Sequence, residues 1–386
     1  MFSAVIAHSD EIDTREALDD TLAQCRARLG ERSPQAGIVF CALELEHDAV
    51  LDGILRAWPG LQLIGCTTDG EISSVLGFRD DSIALVLFCS DTIEFSAGMG
   101  REVSKDIASA CRTAVASASS RSTLAPALCI ALPESLTTSA LQIVESLAQE
   151  LGPTVPVVGG TAGDGRRFDR TRQFCGRDVS SDAVPVLLLS GPLVYSIGVE
   201  NGYRPVGAAG RVTRADGTVV HEINGRPALE FFRRFLGGTF VPVADFPLAI
   251  LDATGEVQCI RSPSGTFDEA TGSISFYAEV PEGASVQITE TDREGILDGC
   301  TQSITRAFED YPAGKTPGVA MLISCASRKM LLGTRTGEES RIVKSVIGQD
   351  VPICGFYSYG EIGPRVGSEG ITRFHNGTFI SLMMGA

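Results

Sequence analysis

The chain has one tryptophan and four histidines in 386 residues, and its eleven cysteines form no CxxC or CxxH pair. A zinc site of the common spacings is therefore excluded. The thiols are odd in number and sit inside apolar runs such as IVFCAL, LCIAL and LISCAS, so they read as small buried hydrophobes rather than a disulfide framework. Bases are also scarce: 32 Lys and Arg face 48 Asp and Glu, a formal charge of −16. No basic cluster overrides that field, which repels phosphate backbones and anionic lipid, so nucleic acid is excluded as a natural partner. The most apolar stretch, AVPVLLLSGPLVYSIGV, is broken by Ser, Gly and Pro and is too short to span a bilayer. The opening MFSAVIAHSDEID lacks a basic start and meets acids by residue 10, unlike a signal peptide. A soluble, cytoplasmic protein is expected, with 44% hydrophobic content to build sizeable cores.

A glycine-bracketed turn recurs three times after an apolar run: GCTTDGE from residue 65, GGTAGDG from 159 and GFYSYGE from 355. Around each turn the order is the same: apolar strand, amphipathic helix-length segment, second apolar strand, turn, third apolar strand. The first copy uses GIVFCAL, DAVLDGILRAW, LQLIGC and DSIALVLF; the second ALCIAL, TSALQIVESLAQEL, VPVVGG and AVPVLLLSG; the third GVAMLISC, EESRIVKSVIG, VPICGF and GTFISLMM. A right-handed crossover sets the first two strands of each copy parallel, and the third adds antiparallel after a short connection. Strands this continuously apolar are covered on both faces. The fold class expected is mixed α/β: layered mixed sheets flanked by helices, built from three related β-α-β-turn-β units in two domains.

Between the second and third copies the pattern changes. VTRADGTVVHEI carries Asp216-Gly217 between two β-prone runs, a hairpin signal, and Pro227 opens a helix over PALEFFRRFL. PLAILDATGEVQCIRS, GSISFYAEV and SVQITET alternate like half-buried strands, and DREGILDGCTQSITRAF reads as a helix. Gly-Gly and proline connections between about residues 205 and 245 mark a domain break, giving units 1–222 and 223–386.

A turn that follows a buried parallel strand emerges at the strand's carboxyl end, where ligand crevices of open α/β sheets lie. Glycines allow close backbone approach, and the residues between them can aim side chains at a shared cavity. Those residues are Cys66, Thr67, Thr68 and Asp69 in the first turn and Phe356, Tyr357, Ser358 and Tyr359 in the third. Glu71 and Glu361 follow the closing glycine in two copies, whereas Arg166 follows Gly165 in the second. Two turns that retain a carboxylate, one with tyrosines, favour a ligand pocket over a purely architectural repeat.

LIGCTTDGEISSVLGFRDDSIALVLF, VVGGTAGDG and CGFYSYGEIGP together resemble the FIST family of bacterial sensory proteins, from about residue 30 to the end of the chain. The resemblance implies an N-terminal and a C-terminal FIST-type domain forming a cytoplasmic input module. Such a module binds a small molecule, amino acids or their derivatives, and signals to a partner such as a histidine kinase. A similar stand-alone subset binds haem, senses nitric oxide and regulates a kinase. The 386 residues contain no kinase, cyclase or methyl-accepting segment, so the expected partner is a separate protein. For an amino-acid ligand, Asp69, Glu71 and Glu361 would pair with the ammonium group and Arg365, or Arg79, with the carboxylate. Tyr357 and Tyr359 would stack on the ligand or hydrogen-bond to it.

A haem would have to use His8, His47, His221 or His375 unless Cys, Tyr or Met served as its ligand instead. Alternation in TVVHEI places Val219, His221 and Ile223 on one apolar face, which makes His221 the first choice. His47, at a strand-to-helix passage, and His375, in a hairpin, read as surface residues. Catalytic motifs are lacking. AGKT at 313–316 fails the phosphate-loop spacing because Glu309 stands where the first glycine belongs, and there is no GxSxG or HExxH. A hydrolase or transferase using Cys66 as nucleophile is the alternative from another class, since a turn can expose a thiol beside backbone N–H donors. A ligand-free interaction scaffold is the third.

Overall fold

The computed structural model describes residues 2–239, 241–243, 245–364 and 370–386. Its organisation is a threefold one, and each unit begins one strand and one helix earlier than the repeat in the sequence. The first unit comprises β1 (Phe2–Ser9), α1 (Thr14–Leu29), β2 (Ala36–Cys41), α2 (His47–Ala57), β3 (Gln62–Thr67), β4 (Glu71–Ser73), β5 (Gly77–Arg79) and β6 (Ile83–Ser90). The second runs β7 (Glu94–Arg101), α3 (Ile107–Ser119), β8 (Pro126–Ala131), α4 (Ala140–Leu151), β9 (Val157–Gly160), β10 (Gln173–Cys175), β11 (Asp178–Ser180) and β12 (Ala183–Ser190).

The third unit opens with β13 (Val194–Glu200) and is then interrupted. Strands β14 to β21 lie between Arg204 and Glu290 and, with α5 (Ala228–Leu236), form a separate eight-stranded sheet with its own core around Phe232, Ile250 and Ile288. The unit resumes with α6 (Arg293–Glu309), β22 (Val319–Cys325), α7 (Ala326–Leu332), α8 (Glu338–Ile347), β23 (Ile353–Ser358), β24 (Glu361–Pro364), β25 (Thr372–His375) and β26 (Phe379–Gly385).

Pairing follows the expected logic. β2 and β3, β8 and β9, and β22 and β23 are parallel, while β6, β12 and β26 add antiparallel to β2, β8 and β22. The short hairpin that follows each turn does not stay in its own sheet. The strand orders are β1-β6-β2-β3-β10-β11, β7-β12-β8-β9-β24-β25 and β13-β26-β22-β23-β4-β5. Thus the first unit lends its hairpin to the third sheet, the second to the first, and the third to the second.

The inner faces of these three sheets meet in one core, where Phe40 stacks on Phe356 with ring centroids 4.6 Å apart beside Ile130 and Leu187. Each outer face is covered by helices: α1 and α2 on the first sheet, α3 and α4 on the second, α6 and α8 on the third. Burial on both faces explains the unbroken apolar strands. Ten of the eleven cysteines are buried, all as free thiols.

The recurrent opening glycine has a packing cause. A Cβ on Gly65, Gly159 or Gly355 would lie 2.2, 1.9 or 2.0 Å from the carbonyl oxygen of Val39, Ala131 or Leu322 on the neighbouring parallel strand. No side chain fits at that approach.

Candidate functional site

The three turns converge and are laced together by backbone hydrogen bonds. Asp69 N–H donates to the Tyr357 carbonyl and Tyr357 N–H to the Gly70 carbonyl, both at 2.9 Å. Gly163 N–H donates to the Thr67 carbonyl at 2.8 Å, and Thr161 N–H to the Gly360 carbonyl at 2.8 Å. The hairpin exchange produces this meeting, because the chain leaving each turn must cross to the next sheet.

Most side chains between the glycines face inward. Cys66 and Phe356 are fully buried in the central core, and burial drives the Cys66 thiol well above its usual range. The thiolate that a Cys66 nucleophile requires is therefore disfavoured, a correction to the enzymatic alternative. Thr67 accepts the Arg172 N–H at its hydroxyl, 2.9 Å away. Tyr357 is buried on the other side of its strand, donates its hydroxyl hydrogen to Glu339 and meets Phe78 edge-on at 5.3 Å.

Glu71 and Glu361 are fully buried and saturated with internal donors. Thr68 and Ser82 donate to Glu71; Ser358, at 3.0 Å, and the N–H and hydroxyl of Thr378, at 2.9 and 2.7 Å, donate to Glu361. Burial pushes each carboxyl up to about 7, against the pull of these hydrogen bonds. Behind Glu71 lies His8, whose Nδ1 is 2.7 Å from the Ser73 hydroxyl and whose Nε2 is 2.8 Å from that of Ser82. Burial, then the charge of Arg79, lowers its pKa to about 4. Arg79 itself pairs with Asp10 at the surface, 2.8 Å away. Arg365 lies outside the described residues.

Asp69 is different. It is 2% exposed, neither carboxylate oxygen has a hydrogen-bond partner, and it lines a polar cleft of about 240 Å³ with Glu44, Asp80, Arg166, Arg167 and Lys329. Two cations form long ion pairs with it: Lys329 Nζ is 3.5 Å and Arg166 Nε 3.6 Å from Oδ1. Lys329 spends its donors on the Asp69 carbonyl, at 2.6 Å, and on Asp80. Burial raises the Asp69 carboxyl to about 6, against the attraction of Lys329 and Arg166.

A second, apolar cleft of about 100 Å³ lies on the other side of Arg166, where the inserted sheet meets the second and third units. Its aromatic wall is a column in which Phe168 stacks on Tyr359 at 4.7 Å and on Tyr277 at 5.7 Å. The loop that presents Arg166 and Phe168 is unusual, since both residues have positive φ, 63° and 52°. Asp164 holds it by accepting four backbone N–H groups, those of Arg167, Phe168, Asp169 and Arg170, at 2.8 to 3.1 Å, and the Tyr359 hydroxyl as well. Arg166, Lys329 and Asp164 were missed from sequence. The signal for the first was the arginine that replaces glutamate after the second turn.

No histidine lines either cleft. His221 is half-buried on β15 (Val219–Ile223) in the inserted sheet, where irregular pairing of the preceding strand breaks alternation and sends Val220 and Ile223, not His221, into the core. His375 is a buried residue, not a surface one, with Nε2 2.9 Å from the Gly363 carbonyl. His47 Nε2 is 3.0 Å from the Ala42 carbonyl. The residues at the turns therefore do not fit a histidine-ligated haem, and an apolar cleft of about 100 Å³ is far smaller than a porphyrin.

The fold and clefts define an α/β protein with a ligand-sized hollow at the meeting of three pseudo-repeats. Residues 35–226 match the FIST N domain and residues 228–364 the FIST C domain, so the chain belongs to the FIST family, whose domains serve sensory signal transduction. It is 27% identical over 379 residues to an uncharacterized protein of Mycobacterium bovis, covering 94% of each chain. An uncharacterized protein of Methanocaldococcus jannaschii is 25% identical over 382 residues, covering 88% of this chain and 71% of the relative. Among solved structures, a chorismatase aligns with 100% of this chain and 98% of its own at 10% identity and a TM-score of 0.38. A cyanuric acid hydrolase from A. caulinodans aligns with 99% of each chain at 10% identity and a TM-score of 0.35. Likenesses this distant carry no functional argument. No helix among the described residues is long and apolar enough to cross a membrane.

Proposed function

We propose that this chain is a non-catalytic cytoplasmic sensor whose ligand is an amino-acid-like molecule bound in the polar cleft at the turns, and that it regulates a separate signalling protein such as a histidine kinase. The observation that carries the reading is Asp69: a buried carboxylate inside a cleft, whose oxygens accept no close hydrogen bond and whose ion pairs to Lys329 and Arg166 are long. Leaving its oxygens without a close hydrogen bond costs free energy, and a ligand ammonium group would supply charge-assisted ones. Arg166, close by, complements a carboxylate on the same molecule. Membership of a sensory family supports the regulatory role.

Of the residues named from sequence, Asp69 is the recognition group. Thr67, Thr68, Glu71, Ser358 and Glu361 act as the frame that holds the turn, since their polar atoms are engaged within the fold. A panel of amino acids and amines at millimolar concentration is expected to raise the melting temperature of the wild type through binding to the folded state. Asp69→Asn, nearly isosteric, should fold and lose that shift. A panel without effect on the wild type, or an Asp69→Asn protein that responds as the wild type does, removes the reading.

A further inference from the structure

We infer that the two clefts form one composite site and that the ligand is an α-amino acid bearing a single aromatic ring; this rests on the amino-acid reading of the polar cleft and specifies it. Arg166 is the joint. It lines both clefts, its Nε lies 3.6 Å from Asp69, and among the described residues it is the one charged residue along the apolar cleft. An ammonium group on Asp69 and a carboxylate on Arg166 place the Cα of an amino acid at the boundary, with its side chain directed into the apolar cleft.

The lining of that cleft selects the side chain. The Tyr277, Phe168 and Tyr359 column forms one wall, and Met330 and Cys325 supply polarisable sulfur, a lining that favours a flat π-system over an aliphatic chain. Phe168 and Tyr277 are each 47% exposed and Met330 53%, so three of the chain's exposed large hydrophobic side chains gather here. The volume of about 100 Å³ is below the about 150 Å³ of an apolar cavity that accepts benzene, so the cleft takes at most one six-membered ring and no fused ring system. Ser262, 3% exposed, also lines the cleft, and its hydroxyl has no partner. A buried hydroxyl left open marks a place for a ligand atom rather than a packing fault. Both phenyl and hydroxyphenyl side chains meet these conditions.

Isothermal titration calorimetry of the full chain with L-phenylalanine, L-alanine and L-cyclohexylalanine tests the assignment. L-Phenylalanine should bind at least about 10-fold more tightly than L-alanine, the worth of burying a ring. It should also bind about 3- to 10-fold more tightly than L-cyclohexylalanine, which has the bulk without the π-system. Tyr277→Ala should bring the affinity for phenylalanine close to that for alanine. Tyr277→Phe, which keeps the ring, should retain the preference, and an unchanged far-UV circular dichroism spectrum of Tyr277→Ala separates a lost wall from a lost fold. Equal affinity for alanine and phenylalanine, or a phenylalanine affinity indifferent to Tyr277→Ala, overturns this inference and leaves the polar-cleft reading standing. Binding of none of the three amino acids overturns both.

Discussion

Glu71 and Glu361 hold the same post in two of the three units: each follows its turn, is fully buried, and accepts a hydroxyl hydrogen from the residue three positions before it, Thr68 or Ser358. A second donor comes in each case from the residue just before the last strand of the unit, Ser82 or Thr378. The repetition makes these carboxylates parts of the architecture, and it has a titration consequence.

The Glu71 carboxyl rises from an ordinary 4.5 to about 7 on folding, through burial. A group with a raised folded pKa adds stability that is complete below the unfolded value and disappears as pH climbs through the folded one. Relative to Glu71→Gln, which does not titrate, the wild type should therefore gain stability as pH falls from about 7.5 to about 5, by up to about 3 kcal/mol. Thermal unfolding of both proteins across that range checks it. A constant difference would show that the carboxyl is not perturbed.

The glycine contacts give a mutational signature with threefold character. Gly65→Ala, Gly159→Ala and Gly355→Ala each drive a methyl group onto a neighbouring carbonyl oxygen. Each should cost about 1–3 kcal/mol or more, as overpacked sites do. Gly314→Ala is the control for conformational strain alone, because its φ is 81° but nothing lies within 4 Å of the added carbon. Urea denaturation should rank all three core substitutions below it.

Arg328 is fully buried in α7 and pairs with Glu339 at 2.8 Å, while its remaining donors reach the carbonyls of Asn201 and Ile296 at 2.8 and 2.7 Å. Glu339 in turn accepts from Ser324 and Tyr357. Arg328→Met strands that carboxylate in the interior and should destabilise the protein by about 3–5 kcal/mol. Equilibrium unfolding measures it, and a loss below about 1 kcal/mol would mean that the network is not worth what its burial suggests.

Haemin provides a spectroscopic prediction. With no histidine on either cleft, protein titrated with haemin should keep the broad spectrum of the free compound. A sharp Soret band that survives in the wild type and vanishes in His221→Ala would reverse that expectation.

Much of the frame was legible because parallel βαβ pairing and continuous apolar strands follow from local pattern. The backbones of the first and third turns meet, Asp69 with Tyr357 and Tyr357 with Gly70, as glycines at the ends of buried strands lead one to expect. What stayed hidden depends on contacts remote in sequence. Lys329 reaches the Asp69 carbonyl across 260 positions, and the hairpin exchange pairs β4 with β23, strands from opposite ends of the chain. Side-chain direction within the turns was also unreadable. Glu71 and Asp69 both border the cleft, yet Glu71 is tied down by Thr68 and Ser82 while Asp69 accepts no close hydrogen bond, a difference that local sequence does not encode. His221 was misplaced for a related reason: alternation predicts a face only where the ladder is regular.

The cyclic loan of hairpins means that no third of this molecule can finish itself. Any fragment that omits one unit leaves a bare β-edge on a second and an orphaned ribbon on another, an invitation to clump with copies of itself. Assembly must then be a single joint closure of distant segments, slow by topology and all-or-none in outcome. The polar cleft at the three turns exists only after that closure has happened.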